Sequence, residues 1–327
     1  MYIEDLKFSL WGDFIERDYL DHEFKELINK KIVNGATSNP AIFKNAILSS
    51  PAYIEQIESL GDNLTAKEKY EAVAIFDIQK AADILKPLHG AGDHGYVSIE
   101  VDPFLCDDAK ATIEEGKRLF SQIQRENVMI KVPATEAGYE AMEALVGVGI
   151  PVNATLVFKK SQAVSSAEAF ARGIAKYGTK VDTVISIFVS RIDRALDPLL
   201  KTHDIETSLS GIYNTSDIYE EIESKQVLGC QALFASTGVK DDSLPAYYYV
   251  EKLLAYNTIN TAPIETIKAF HEHGKKEKAL PIPREKVKAH FQKIADAGID
   301  FDTLLDRQIE DGLKAFKDAF EEILGAL

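Results

Sequence analysis

Eight short runs of β-branched and apolar residues, each followed by a stretch with helical periodicity, constrain the fold of this chain more than any other feature. The runs are Leu6–Trp11, Ile32–Thr37, Tyr96–Val101, Asn127–Thr135, Ile150–Leu156, Asp182–Phe188, Val227–Ala235 and Asn257–Thr261. Most are apolar without alternation, as expected of strands covered on both faces in a parallel sheet. Helices are expected over Phe14–Asn29, irregularly after Asn39-Pro40, and from the capping box Thr65-x-x-Glu68 to a stop at Pro87. Further ones are expected over Asp107–Arg125, Glu136–Gly147, Ser161–Tyr177, Ile192–Leu200, Asp217–Ser224 and Ser243–Ala255, after Pro263, and at the C-terminus over Pro283–Ala297 and Phe301–Leu324. Strand and helix alternate with short connections and no linker, which predicts an α/β fold of (β/α)8, or TIM-barrel, type in one domain spanning 1–327. The helices from about 283 onward are expected to pack on the barrel or to form a homodimer contact.

One residue resists that apolar pattern. Lys131 sits inside Asn127–Thr135, a run expected to be buried. A lysine there either snorkels its head to solvent or is held in a site, where burial favours the neutral, nucleophilic amine. Other polar residues gather near the ends of the strands: Asp13, Thr37, Asn39, Glu100, Asn153, Thr155, Ser186 and Ser236. Singly, several have a local explanation: Asp13 with Glu16 as a capping box, Asn39 as the N-cap before Pro40, Ser236 as a turn residue. In a closed barrel, however, all of these ends meet at one mouth. An amine, two carboxylates and several neutral hydrogen-bonding groups there point to imine formation on a carbonyl of a hydroxylated substrate. Arg191 and Lys240, after the sixth and seventh strands, either bind a phosphate together or are solvated charges, the second reading suiting Lys240 better when taken alone.

Charge and composition exclude other readings. With 52 acidic and 37 basic residues, the net charge of -15 disfavours nucleic acid and anionic membranes, so any phosphate site must be a local basic cluster. A basic-then-apolar leader and a membrane-length apolar run are both lacking, which reads as a cytoplasmic protein. Cys106 and Cys230 lack metal or disulfide spacing. Gly90-Ala-Gly92-Asp-His-Gly95 follows a helix and precedes a strand, the reverse of a dinucleotide fingerprint. His271-x-His273 sits at a lysine-rich helix end, so no metal is called for, and no pattern seats a pyridoxal cofactor.

The segments Gly35-Ala-Thr-Ser-Asn-Pro-Ala-Ile-Phe43, Val128-Met-Ile-Lys-Val-Pro-Ala-Thr135, Asn153-Ala-Thr-Leu-Val-Phe158 and Ser186-Ile-Phe-Val-Ser-Arg191 resemble those of transaldolases. The resemblance implies cofactor-free transfer of a dihydroxyacetone unit from sedoheptulose 7-phosphate to glyceraldehyde 3-phosphate, a step of the non-oxidative pentose phosphate pathway. It implies Lys131 as the Schiff-base lysine, Asp13 as the base on the C4 hydroxyl, and Glu100 with Thr155 on a proton-shuttling water. Asn39, Asn153 and Ser186 would hold the dihydroxyacetone hydroxyls, Thr37 would support them, and Arg191 with Ser236 would bind phosphate. Lys240 is a looser match, because the loop Ser-Thr-Gly-Val-Lys differs from the Ser-Phe-Arg form of some relatives. Similar fructose 6-phosphate aldolases are shorter and carry tyrosine where this chain has Phe188. The alternatives to a transaldolase are such an aldolase and a barrel that binds a sugar phosphate without turning it over.

Overall fold

Eight parallel strands close into a barrel in simple sequential order, β1 pairing with β8. The structure, a computed structural model, describes residues 1–61, 63–241 and 243–327. The strands are β1 (Ser9–Gly12), β2 (Gly35–Thr37), β3 (Tyr96–Glu100), β4 (Val128–Pro133), β5 (Val152–Val157), β6 (Thr183–Phe188), β7 (Cys230–Ala235) and β8 (Thr258–Ala262). Each lies within the run expected of it or within one residue of that run.

Alternation along each strand sorts its side chains into two cores. Leu10, Ala36, Val97, Ile130, Val152, Ile185, Ala232 and Ala262 pack outward under the helices. Trp11, Tyr96, Met129, Val184, Leu233 and Ile259 form a separate cluster inside the barrel. Lys131 is two residues beyond Met129, Glu100 four beyond Tyr96, Asp13 two beyond Trp11, and Thr261 two beyond Ile259. Their parity therefore places the polar residues inside, above an apolar plug.

The helices differ from expectation where local sequence underdetermines them. The segment Phe14–Asn29 forms two helices, Arg17–Asp21 and Glu23–Asn29, meeting at His22. Its cap is Glu16, which accepts from Tyr19 N at 3.0 Å, so Asp13 is released from capping. Helix Ala66–Gly90 runs through Pro87 instead of stopping there. Pro87 and Asp83, whose carbonyl loses its partner, are both exposed, which leaves that carbonyl open to solvent. Helix Ser190–Thr202 extends the expected Ile192–Leu200 by two residues at each end, and Ser210–Lys225 starts seven residues ahead of the expected Asp217. Only Tyr248–Lys252 of Ser243–Ala255 is helical.

The final helix, Phe301–Ala326, packs on helices Pro40–Ser49, Ala66–Gly90 and Ser190–Thr202 and on β5. Phe316, Leu305 and their neighbours join the cluster inside the barrel, so the helix crosses over the mouth. Gly312 makes that crossing possible, because a Cβ there would lie 2.8 Å from Leu156 Cδ2. Leu156 itself has φ 57°, unusual for a branched residue within a strand, at a register shift between Ala154 and Val157.

Candidate active site

The mouth encloses a cavity of about 330 Å³ lined by residues from almost every strand end. Of the residues expected there, Asp13, Thr37, Asn39, Lys131, Thr155, Ser186, Phe188, Arg191, Ser236 and Lys240 line it. Glu100 and Asn153 do not.

Lys131 is 5% exposed, so its head does not snorkel to solvent. Its Nζ donates to the Ser38 carbonyl at 3.0 Å and lies 3.4 Å from Glu100 Oε2. The face of Phe316 is 5.7 Å away, so the cation is also covered by an aromatic ring from the last helix. Glu100 is paired with Lys131 across the β3–β4 register, behind the cavity wall. Burial pushes its carboxyl up to about 7, although the neighbouring Lys131 ammonium pulls the other way. Neither Glu100 oxygen has a protein hydrogen-bond partner among the described residues, and neither does the buried Thr155 hydroxyl. Buried groups of this kind are costly unless water or a ligand satisfies them.

Asp13 is held by a relay of hydroxyls. Thr37 donates to Asp13 Oδ1 at 2.7 Å and shares a 2.6 Å contact with Thr261 Oγ1. A hydroxyl donates only once, so Thr261 must donate to Thr37, and Asp13 keeps its second oxygen for other work. Asn39 caps helix Pro40–Ser49, accepting from Ile42 N at 3.1 Å, while also lining the cavity. The capping and site readings of Asn39 are therefore compatible. Asn153 is fully buried one layer below, donating to Ser98 Oγ at 3.1 Å and accepting from Ser186 Oγ at 2.7 Å. It orients Ser186 rather than facing the cavity.

On the opposite wall, Ser190 and Ser236 approach to 3.2 Å, with Ser236 in the left-handed region at φ 54°. Arg191 stacks on Phe188 at 5.2 Å, and burial and the nearby Arg194 guanidinium pull its pKa down. Two guanidiniums and Lys240 on one wall, beside the N-terminal end of helix Ser190–Thr202, concentrate positive charge locally in an otherwise acidic chain.

The model of the family described as Transaldolase/Fructose-6-phosphate aldolase matches residues 10–327. The chain belongs to that family. A protein named Transaldolase from Campylobacter jejuni is 46% identical over 331 aligned residues, covering 98% of this chain and 99% of its own length. One of the same name from Helicobacter pylori is 42% identical over 321 residues with the same coverage.

For this member of the transaldolase/fructose-6-phosphate aldolase family, the structure adds cavity residues that sequence reasoning did not single out: Arg194, Thr261, Asn45, Ala315 and Phe316. Arg194 was detectable, being three residues from Arg191 and hence on the same helix face. Thr261 is polar at a strand end, the signal that found the others. Phe316 was legible as part of the apolar face of the last helix, but not as a cavity residue, because its place depends on how a distant helix crosses the mouth. Among the described residues no cluster of histidine, cysteine or carboxylate is arranged to hold a metal ion, and no helix is long and apolar enough to span a membrane.

Proposed function

We propose that this protein is a transaldolase acting on sugar phosphates, with Lys131 as the imine-forming nucleophile. The carrying observation is a lysine amine buried at a cavity wall, 3.4 Å from a carboxylate, in a cavity that also holds a second carboxylate. In its neutral form Lys131 attacks the donor ketone, and the resulting carbinolamine loses water to give the protonated imine. Glu100 and Thr155, through a water, move the protons of that step. Asp13 then removes the proton of the C4 hydroxyl. The C3–C4 bond breaks, its electrons pass into the imine to form an enamine, and the aldehyde fragment departs. The enamine attacks the acceptor aldehyde, Asp13 returns its proton to the new hydroxyl, and hydrolysis frees Lys131.

Thr37 and Thr261 hold Asp13 in place, while Asn39 and Ser186 bind hydroxyls, with Asn153 fixing Ser186. Arg191, Arg194, Ser236 and Lys240 take the phosphate. Phe188 favours transfer over simple aldol release. Its ring has no hydroxyl with which to protonate the enamine, and it keeps that side of the cavity apolar.

The test is incubation with fructose 6-phosphate, reduction with borohydride and peptide mapping. A dihydroxyacetone adduct on Lys131 is expected. An unmodified Lys131 in protein that binds the sugar phosphate would leave only a non-catalytic binding barrel. Release of free dihydroxyacetone without acceptor, as fast as transfer with erythrose 4-phosphate or glyceraldehyde 3-phosphate, would make it an aldolase.

A further inference from the structure

Helix Ser190–Thr202 carries both cavity arginines, yet its first turn lacks the usual side-chain cap. Its N-cap residue, Val189, has no side chain that could accept from the free N–H groups. The Ser190 N–H goes instead to the Ser236 carbonyl at 2.9 Å, which ties the start of the helix to the end of β7 at one point, so a further anchor must fix the rotation of the turn about that point.

Asp193 is the group placed to do it. Only 1% exposed, it accepts from Gly211 N at 2.7 Å and from the Tyr249 hydroxyl at 2.9 Å. These bonds run to helices Ser210–Lys225 and Tyr248–Lys252, so one carboxylate ties three elements together. The junction is in backbone contact: a Cβ on Gly211 would lie 2.5 Å from the Val189 carbonyl. Ile192, fully buried, packs into the barrel's interior cluster. Residues 192 and 193 thus anchor the turn, while Arg191 and Arg194, three apart, are presented on another face toward the cavity.

We infer that Asp193 is a positioning residue for anion recognition: through Gly211 and Tyr249 it fixes the first turn of helix Ser190–Thr202, and so sets where Arg191 and Arg194 meet the substrate phosphate. Asp193 touches no substrate. The inference rests on the phosphate reading of this wall. Its signature is loss of phosphate binding without loss of the chemical step, because Lys131, Glu100 and Asp13 stand on other strands.

The experiment compares Asp193→Ala, Asp193→Asn and Tyr249→Phe with the wild type. It measures kcat and KM for fructose 6-phosphate with erythrose 4-phosphate as acceptor and, by calorimetry, the affinity for inorganic phosphate. Asp193→Ala should raise both KM and the phosphate Kd about tenfold, with kcat held within about twofold. Asp193→Asn, which can still accept from Gly211, should restore most of the loss. Tyr249→Phe should show a smaller shift of about threefold. Unchanged KM and phosphate Kd in folded Asp193→Ala, or a fall in kcat alone, would overturn the inference. If Asp193→Ala fails to fold, unchanged values for Tyr249→Phe overturn it equally. Should the wild type bind phosphate but neither turn over nor trap fructose 6-phosphate, the transaldolase reading fails, and the phosphate Kd series alone decides the role of Asp193. A wild type that does not bind phosphate overturns the inference.

Discussion

The two ends of this barrel both open into cavities, and the larger is at the end without the chemistry. At the N-terminal end a space of about 660 Å³ is lined by Trp11, His94, Tyr96, Asp182, Gln231 and others, against about 330 Å³ at the mouth. The difference lies in how the charges are spent. At the N-terminal end Asp182 accepts from Tyr96 at 2.9 Å and pairs with Lys180 at 2.8 Å, while burial pulls His94 down to about 4 and leaves it neutral. The fully buried groups there without protein partners, such as Trp11 Nε1 and Thr183 Oγ1, are uncharged, and the one carboxylate of its lining outside an ion pair among the described residues, Glu223, is only half-buried. At the mouth the charged groups are the uncommitted ones. Glu100 is paired with the reactive Lys131 itself at 3.4 Å and accepts no hydrogen bond among the described residues, Asp13 has an oxygen left over by Thr37, and the guanidiniums lie close enough to disturb each other. On the proposed function, chemistry follows unspent charge in a buried setting rather than volume.

The strongest attempt to break this contrast is Lys131→Met. Methionine fills much of the same space without the amine. Turnover should fall by about 10⁴-fold or more, and borohydride should trap no adduct. Thermal stability should change little, because a Glu100 carboxyl near 7 can take up a proton once its cation is gone. Substantial remaining turnover would remove the lysine from the mechanism.

Glu100 allows a finer test. Its folded pKa lies above the ordinary carboxylic range, so the carboxylate is lost as pH falls through about 7. If that carboxylate drives the proton shuttle, the single-turnover rate of imine formation should rise with pH through about 7 and then level. The limb is an apparent constant of the Glu100–Lys131 pair. Glu100→Gln should abolish the limb and lower the rate by about 10²–10⁴-fold. Rapid-mixing measurements across pH 5.5–8.5, in steps of about half a unit, would show a persisting limb if another group were responsible.

Most of the contrast was legible in the sequence because it depends on strand parity. Once eight apolar runs implied a closed barrel, the polar exceptions had to face one mouth, and Lys131, Asp13, Thr155 and Ser186 lie within reach of it. What escaped depends on layers and crossings. Asn153 has the right parity but sits one layer too deep, a matter of barrel stagger that no single strand encodes. Pro87 reads as a helix end, yet exposed helical turns tolerate proline when water can satisfy the freed carbonyl. Phe316 and Ala315 reach the mouth only because Gly312 lets the last helix lie against Leu156, a long-range contact without a local signature.

That crossing supplies a smaller effect. In Gly312→Ala the added methyl meets Leu156 Cδ2 at 2.8 Å. Alanine favours the helix by about 1 kcal/mol over glycine, whereas overpacking a tight contact costs about 1–3 kcal/mol. Leu156 is buried and its backbone already in the left-handed region, so it has little freedom to yield, and the overpacking cost should win. The expected result is a loss of about 1 kcal/mol in denaturant unfolding with a severalfold drop in kcat, as Phe316 moves relative to Lys131. A more stable variant of full activity would mean that the helix does not shape the mouth.

The smallest effect is expected at the other end, where it sharpens the comparison most. Tyr96→Phe removes the hydroxyl that donates to Asp182, but Lys180 remains at 2.8 Å, so the carboxylate is not orphaned. The ring keeps its edge-on contact with His89, with centroids 4.8 Å apart. The loss should be about 1 kcal/mol of stability, that of one ordinary hydrogen bond, with kcat and KM unchanged. The measurement matters because Tyr96 and Met129 share the interior cluster, while Glu100 and Lys131 continue the same strands toward the mouth. A well-packed apolar layer should absorb a missing hydroxyl without moving the strand ends above it. If kcat nevertheless falls, the plug transmits strain along β3 and β4, and the two ends of the barrel are one coupled device.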